Sequence, residues 1–200
     1  MKKFTVLLIF IVTMLLSGAA WAAPAAKALP IDGLPNVAVL YVNNAKTTYD
    51  RELDEAVLSN LVQALPASQY NYVDGAPYVE KLSKIGITDI TTAERADILA
   101  TFAGENIDYV VFVEIQPLVV RDKLTLFSVG KDVSMVVPLK VIDLGGNRYL
   151  YNGKFTEKAS DSTFIGGIGN KSVALKALQK INIQLRATLA ERLPKVKPAK

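Results

Sequence analysis

The chain has no His and no Cys among its 200 residues, so any chemistry must come from carboxylate, Lys, Tyr, Ser or Thr side chains. That removes Ser-His-Asp and Cys-His relays, thiolate and imidazole zinc sites, and any disulfide framework. Neither a cofactor nor a metal is expected. General acid–base work needs two carboxyls, and the pairs on offer are Asp54 with Glu55 and Asp108 with Glu114. Asp54 and Glu55 read as solvated residues in the first turns of a helix, where negative charge suits the dipole. Glu114 interrupts a strand otherwise made of Val, Phe and Ile. It either faces water beside an edge or pairs across the sheet with Lys140 or Arg121, and the pairing is the expectation. No catalytic residue is assigned, and Glu114 is kept as a candidate binding residue.

The remaining candidates also concern binding. The run Gly166-Gly167-Ile168-Gly169-Asn170-Lys171-Ser172 precedes a helix, where backbone amides can hold an anion. A phosphate-binding loop ending at Lys171-Ser172 would need glycines where Ile165 and Asn170 stand, so that motif fails. A connection from the last strand to the C-terminal helix is the expected role, with Gly166, Gly167, Gly169 and Asn170 retained as candidates. Tyr149 and Tyr151 lie two apart on a strand and so share a face, where they line a recognition patch or cap the core. Leu124, Leu126, Phe127 and Val129 offer apolar surface to a partner or bilayer, without the long alternation and aromatic girdles of a membrane hairpin. The 8 Tyr and 7 Phe residues are scattered and not interleaved with basic residues, so no nucleic-acid surface is expected.

Export is written into the first 22 residues. Lys2 and Lys3 precede an apolar run from Phe4 to Leu16, and Ala20 and Ala22 form an A-x-A cleavage site. The run is too short for a stable span. Cleavage after residue 22 of the 200 leaves 178, enough for one core. The 23 basic residues fall to 21 when Lys2 and Lys3 leave, against 19 acidic, so no strong field attracts nucleic acid or anionic lipid. With no Cys to acylate, the mature protein is expected in the periplasm or outside the cell, without a lipid anchor.

The elements that must position the candidates follow from periodicity. Residues 23–35 carry three prolines and read as a flexible arm, and 194–200 as a frayed basic tail. Between them, 36–193 reads as one domain. Val37–Val42 is a strand covered on both faces. From Asp50, Leu53, Ala56, Val57, Leu61, Ala64 and Leu65 recur at helical spacing until Pro66. Tyr70–Val73 is a second strand, and Val79–Ile85 a short helix ending at Gly86. Thr91-Thr92-Ala93-Glu94 fits a capping box, followed by a small-residue stripe at Ala96, Leu99, Ala100 and Ala103. Asp108–Val120 is the strongest strand, interrupted by Pro117. Leu124–Val129, Ser134–Ile142 and Arg148–Ala159 continue as strands with a turn at Asp143–Asn147, and Ala174–Leu193 forms a long amphipathic helix. The expected fold is an α/β (α+β) sandwich: a mixed sheet with an antiparallel meander in its C-terminal half and helices packed on it, on one face.

Several of these segments together resemble a known group. They are Val37-Ala38-Val39-Leu40, Tyr72-Val73, the helix from Glu94 to Gly104, Asn106–Val113, and Val136–Asp143 followed by Tyr149-Leu150-Tyr151. In this order they resemble the periplasmic α/β domain of the curli-secretion assembly protein family, related to outer-membrane activators of penicillin-binding proteins and to the N-terminal domain of TolB. The resemblance implies a non-catalytic envelope component that docks to an envelope protein or associates with itself. It supplies no catalytic residues. The chain departs from the family in lacking the lipobox Cys and a convincing pair of membrane-spanning hairpins, so no pore is expected. The alternative is a carboxylate-dependent envelope hydrolase or small-ligand-binding protein, centred on Glu114.

Overall fold

A computed structural model describes residues 30–124, 129–163 and 169–195. The expected leader at 1–22, most of the expected arm, Leu126, Phe127, Gly166, Gly167 and the end of the basic tail lie outside the described residues. The elements run β1 (Asn36–Asn43), α1 (Asp50–Ala64), β2 (Asn71–Asp74), α2 (Ala76–Lys84), α3 (Arg95–Thr101), β3 (Tyr109–Ile115), β4 (Val119–Leu124), β5 (Val129–Asp143), β6 (Arg148–Thr163) and α4 (Asn170–Arg192).

These elements form a mixed sheet of six strands with four helices packed on it. β2, β1 and β3 are neighbours and parallel. β5 then pairs antiparallel with β3 along Leu139–Asp143 and with β4 along Val129–Ser134. β6 occupies the other edge of β5 over its whole length, so β3 and β4 must follow one another along a single edge. The expected long strand is thus broken at Pro117, which has no N–H to donate. The Gln116 amide still bonds the Val136 carbonyl across the break at 3.0 Å.

Helices were expected on one face, but they cover both. The chain moves from β1 to β2 through α1 and returns past β1 to β3 through α2 and α3, and right-handed crossovers in opposite directions place their helices on opposite faces. On one face α1 and α4 bury Leu53, Val57, Leu61, Ile181, Leu185 and Leu189 against Val37, Val39, Val111 and Val113. On the other, Tyr78, Leu82, Ile98 and Phe102 pack on Ala38, Leu40, Val110 and Phe112. Each Leu or Ile so covered contributes roughly 1.5–3 kcal/mol.

Three local expectations shift. The capping box lies one turn later: Glu94 is the N-cap and Asp97 the reciprocating residue, while Thr91 sits in a turn whose hydroxyl and amide both donate to Asp89 (2.6 and 2.8 Å). The small-residue stripe faces away from the sheet, and the helix docks instead through Ile98 and Phe102, which stacks on Tyr78 at 4.2 Å. The end of the arm is held, because the Asn71 side chain accepts from Ile31 N–H and donates to the Ile31 and Leu34 carbonyls. At the turn from β2 into α2, Gly75 lies so close to β1 that a Cβ would sit 2.2 Å from the Val39 carbonyl oxygen.

Candidate functional site

Because β1 and β3 are parallel, their C-terminal ends lie side by side where the chain departs in opposite directions. In open α/β sheets this switch point is where ligands bind. Two consecutive asparagines leave β1 here and serve the two layers separately. Asn43 donates to the Asp54 carboxylate of α1 at 2.8 Å, and Tyr41 donates its hydroxyl to the same oxygen at 2.7 Å. Asp54 is therefore engaged by the sheet and does not project freely into solvent. Burial, and then the Asp54 carboxylate, push the Tyr41 hydroxyl far above its ordinary value.

Asn44 serves the opposite layer, donating to Glu114 Oε1 at 2.9 Å. Glu114 is 3% exposed, and its Oε2 is buried without a hydrogen-bond partner. Burial raises the Glu114 carboxyl above its ordinary range, and the neighbouring Asp89 charge adds to this while the Asn44 bond opposes it. Asp89 shifts the opposite way, held down chiefly by the Thr91 hydroxyl and also by the facing Glu114 and Lys140. The arrangement is a carboxyl pair in which burial favours the neutral form of Glu114 and hydrogen bonding favours the charged form of Asp89.

Lys140 completes the cluster from β5. It is 8% exposed and donates to the Thr91 and Ala93 carbonyls at 2.6 and 2.9 Å, with its ammonium 5.7 Å from the centre of the Phe112 ring. Burial lowers its basicity, opposed by Asp89 and Glu114. The expected cross-strand partner is thus present, but its bonds go to the backbone of the 89–93 turn. Arg121 is far along β4, opposite Asp132. Asp108 sits at the other end of β3, accepting from the Asn36 amide at 2.7 Å, about 20 Å of strand from Glu114. The pairs proposed from spacing therefore do not form, and Glu114 is brought to Asp89 instead. Mechanically the cluster pins the 89–93 turn to the sheet through Lys140.

The other candidates fall apart spatially. Tyr151 pairs with Val141 and Tyr149 with Ile142, leaving Leu150 as a bulge. The extra residue reverses the side-chain alternation, so Tyr149 packs on the α2–α3 side and Tyr151 on the α1–α4 side, stacked on Phe155 at 6.0 Å. They share no face. Gly169 caps α4 and Asn170 opens it, with Asn170 Oδ1 buried and unpartnered.

The sequence reading missed a polar seam between α1 and α4. Asn60, 4% exposed, donates to the Asn182 carbonyl and accepts from Arg186 Nη2 at 2.8 Å, while Asn182 donates to the Ala56 carbonyl. These residues line a hollow of about 350 Å³. The only signal was an Asn inside the buried stripe of α1. Among the described residues no cluster of three or more His, Cys, Asp or Glu residues could hold a metal ion, and no helix is long and apolar enough to cross a membrane.

No protein-family model matches the chain, and no curated protein matches it in sequence. Its likeness is to solved structures. The hypothetical protein CT253 from Chlamydia trachomatis is 14% identical with a TM-score of 0.50, covering 79% of this chain and 99% of that one. A protein from Helicobacter pylori described as a neuraminyllactose-binding hemagglutinin homolog is 12% identical with a TM-score of 0.50, covering 83% and 88%. TolB from Acinetobacter baumannii aligns with 84% of this chain and 29% of its own at 16% identity, and its TM-score of 0.35 carries no argument. The likeness to CT253 and to the Helicobacter pylori protein shows a shared fold.

Proposed function

We propose that this chain is an exported, non-catalytic component of the cell envelope that works by binding another protein. The observation that carries this reading is the use made of Glu114 and Lys140. Both are nearly buried, and their bonds run to Asn44 and to the carbonyls of the 89–93 turn. Groups so placed hold a loop in position and present nothing to a substrate. The leader at 1–22 supports export, and the resemblance to periplasmic assembly domains supports a docking role.

A carboxylate-dependent hydrolase is the second reading, favoured by the unpartnered Glu114 Oε2 beside Asp89. The test is cross-linking of the mature protein in intact envelopes, run beside turnover assays on envelope polymers. A defined protein partner without turnover supports docking. Turnover that disappears in Glu114→Gln, whose side chain keeps the Asn44 bond, would support the hydrolase.

A further inference from the structure

The three-stranded end of the sheet sorts its charges by face. On the face carrying α4, the acids are paired: Asp122 with Lys131, Asp161 with Lys176, and Glu157 with Lys180. The register places Arg121, Lys123, Lys154 and Lys158 on the opposite face, all exposed. None of these four has an ion pair among the described residues, and the segments outside them contain no Asp or Glu. The one acid on that face, Asp132, accepts from the Ser160 hydroxyl and lies across from Arg121, whose charge it partly offsets, while Lys123, Lys154 and Lys158 stand opposite Gly130, Pro138 and Ser134.

Along β6 the rest of that face is polar and exposed, while β5 adds Ser134, half-buried Val136 and buried Pro138 to it. Thr156, Ser160 and Ser162 alternate outward along β6, and Val119 is 51% exposed. α2 and α3 pack on β1, β3 and Ile142, short of this end. Among the described residues β4 pairs only with β5, so its outer edge has unfilled N–H and C=O groups. A polysaccharide or lipid headgroup can neutralise cations, but a strand edge is filled residue by residue only by an extended polypeptide.

We propose that this face and the β4 edge together form the docking site for an acidic protein, which adds an extended segment to β4 with carboxylates opposite Arg121 and Lys123. Side chains directly across an added strand approach to about 5 Å, and opposite charges there stabilise the pairing. Lys158, two strands across from Val119, receives a carboxylate from the body of the partner, and Lys154 another further along β6, where β4 no longer runs alongside. This rests on the docking role proposed above and names its surface and the chemistry of its partner.

The test uses the mature chain and a synthetic peptide of about eight residues alternating Glu with Thr, compared with its Gln-for-Glu counterpart. The Glu peptide should bind saturably, at least tenfold more tightly than the Gln peptide, and protect the amides of Val119–Leu124 from hydrogen exchange. R121E/K123E should weaken it at least tenfold while the chain stays folded by circular dichroism, with the Glu opposite Asp132 costing some stability, and R121Q/K123Q by less. Equal binding of the two peptides, no binding, insensitivity to the charge reversal, or binding confined to anionic vesicles or sulfated polysaccharide overturns the proposal. A photo-cross-linker at Lys123 and another at Ile183 on α4 separate the two levels. Specific capture of a partner only through Ile183 overturns this surface and leaves the docking role standing, whereas capture through neither contradicts both.

Discussion

Glu114 is buried, with one oxygen on Asn44 and the Asp89 carboxylate beside it, an arrangement that suits a neutral carboxyl. An acid whose folded value is raised binds its proton more tightly folded than unfolded. Stability is then full below the ordinary glutamate value and is lost as pH rises through the raised one. Glu114→Gln keeps the acceptor for Asn44 and removes the ionisation. The variant should therefore be at least as stable as the parent at neutral pH, with that declining limb flattened when denaturant midpoints are measured across pH. Asp89 works with the opposite sign: its folded value is lowered, so its contribution is present above the ordinary aspartate range and lost on acidification. The acid limb should therefore persist in Glu114→Gln. Lys140→Met should be the harsher change, because it leaves the Thr91 and Ala93 carbonyls without their donor, at a cost of about 2 kcal/mol or more by equilibrium unfolding.

Among the elements, the α1–α4 contact shows how polar and apolar burial cooperate. Asn60→Ala should cost about 1–3 kcal/mol, since it strips a buried acceptor from Arg186 and a donor from the Asn182 carbonyl. Leu185→Ala, one turn along and fully buried, should cost about 2–5 kcal/mol through lost burial and a cavity. Both are read from denaturant midpoints. The apolar half of this contact was legible in the sequence, because Leu53, Val57 and Leu61 repeat at helical spacing. The Asn60 seam was not, since its partner lies 126 residues away and no local pattern encodes it. The same contrast runs through the sheet. The alternation of Val110, Phe112 and Glu114 with Val111, Val113 and Ile115 was readable and sorts into the two cores. The bulge at Leu150 was not readable, because an extra residue changes the register without changing the composition. Glu114 was recognised as an acid out of place among apolar neighbours. Its partner Asp89 was missed because it comes from a turn on another layer, which only the β2–β3 crossover brings over the end of β3.

For the whole molecule, the two crossovers divide the labour between faces. One face is closed by α1 and α4 along most of the sheet, and the other is closed by α2, α3 and the 89–93 turn only over the parallel strands. Acids are used up in fastening α4, and the uncompensated cations collect where the sheet is bare. The buried acid–base groups are directed inward and the exposed cations outward, which is the arrangement the docking proposal requires. The measurement that tests this most directly is cross-linking of the mature protein in intact envelopes, analysed by mass spectrometry together with its solution mass and a turnover assay on envelope polymers. The account predicts a defined envelope protein joined to a specific surface, with no turnover. A monomer that joins nothing and hydrolyses an envelope polymer, losing that activity in Glu114→Gln, would contradict it.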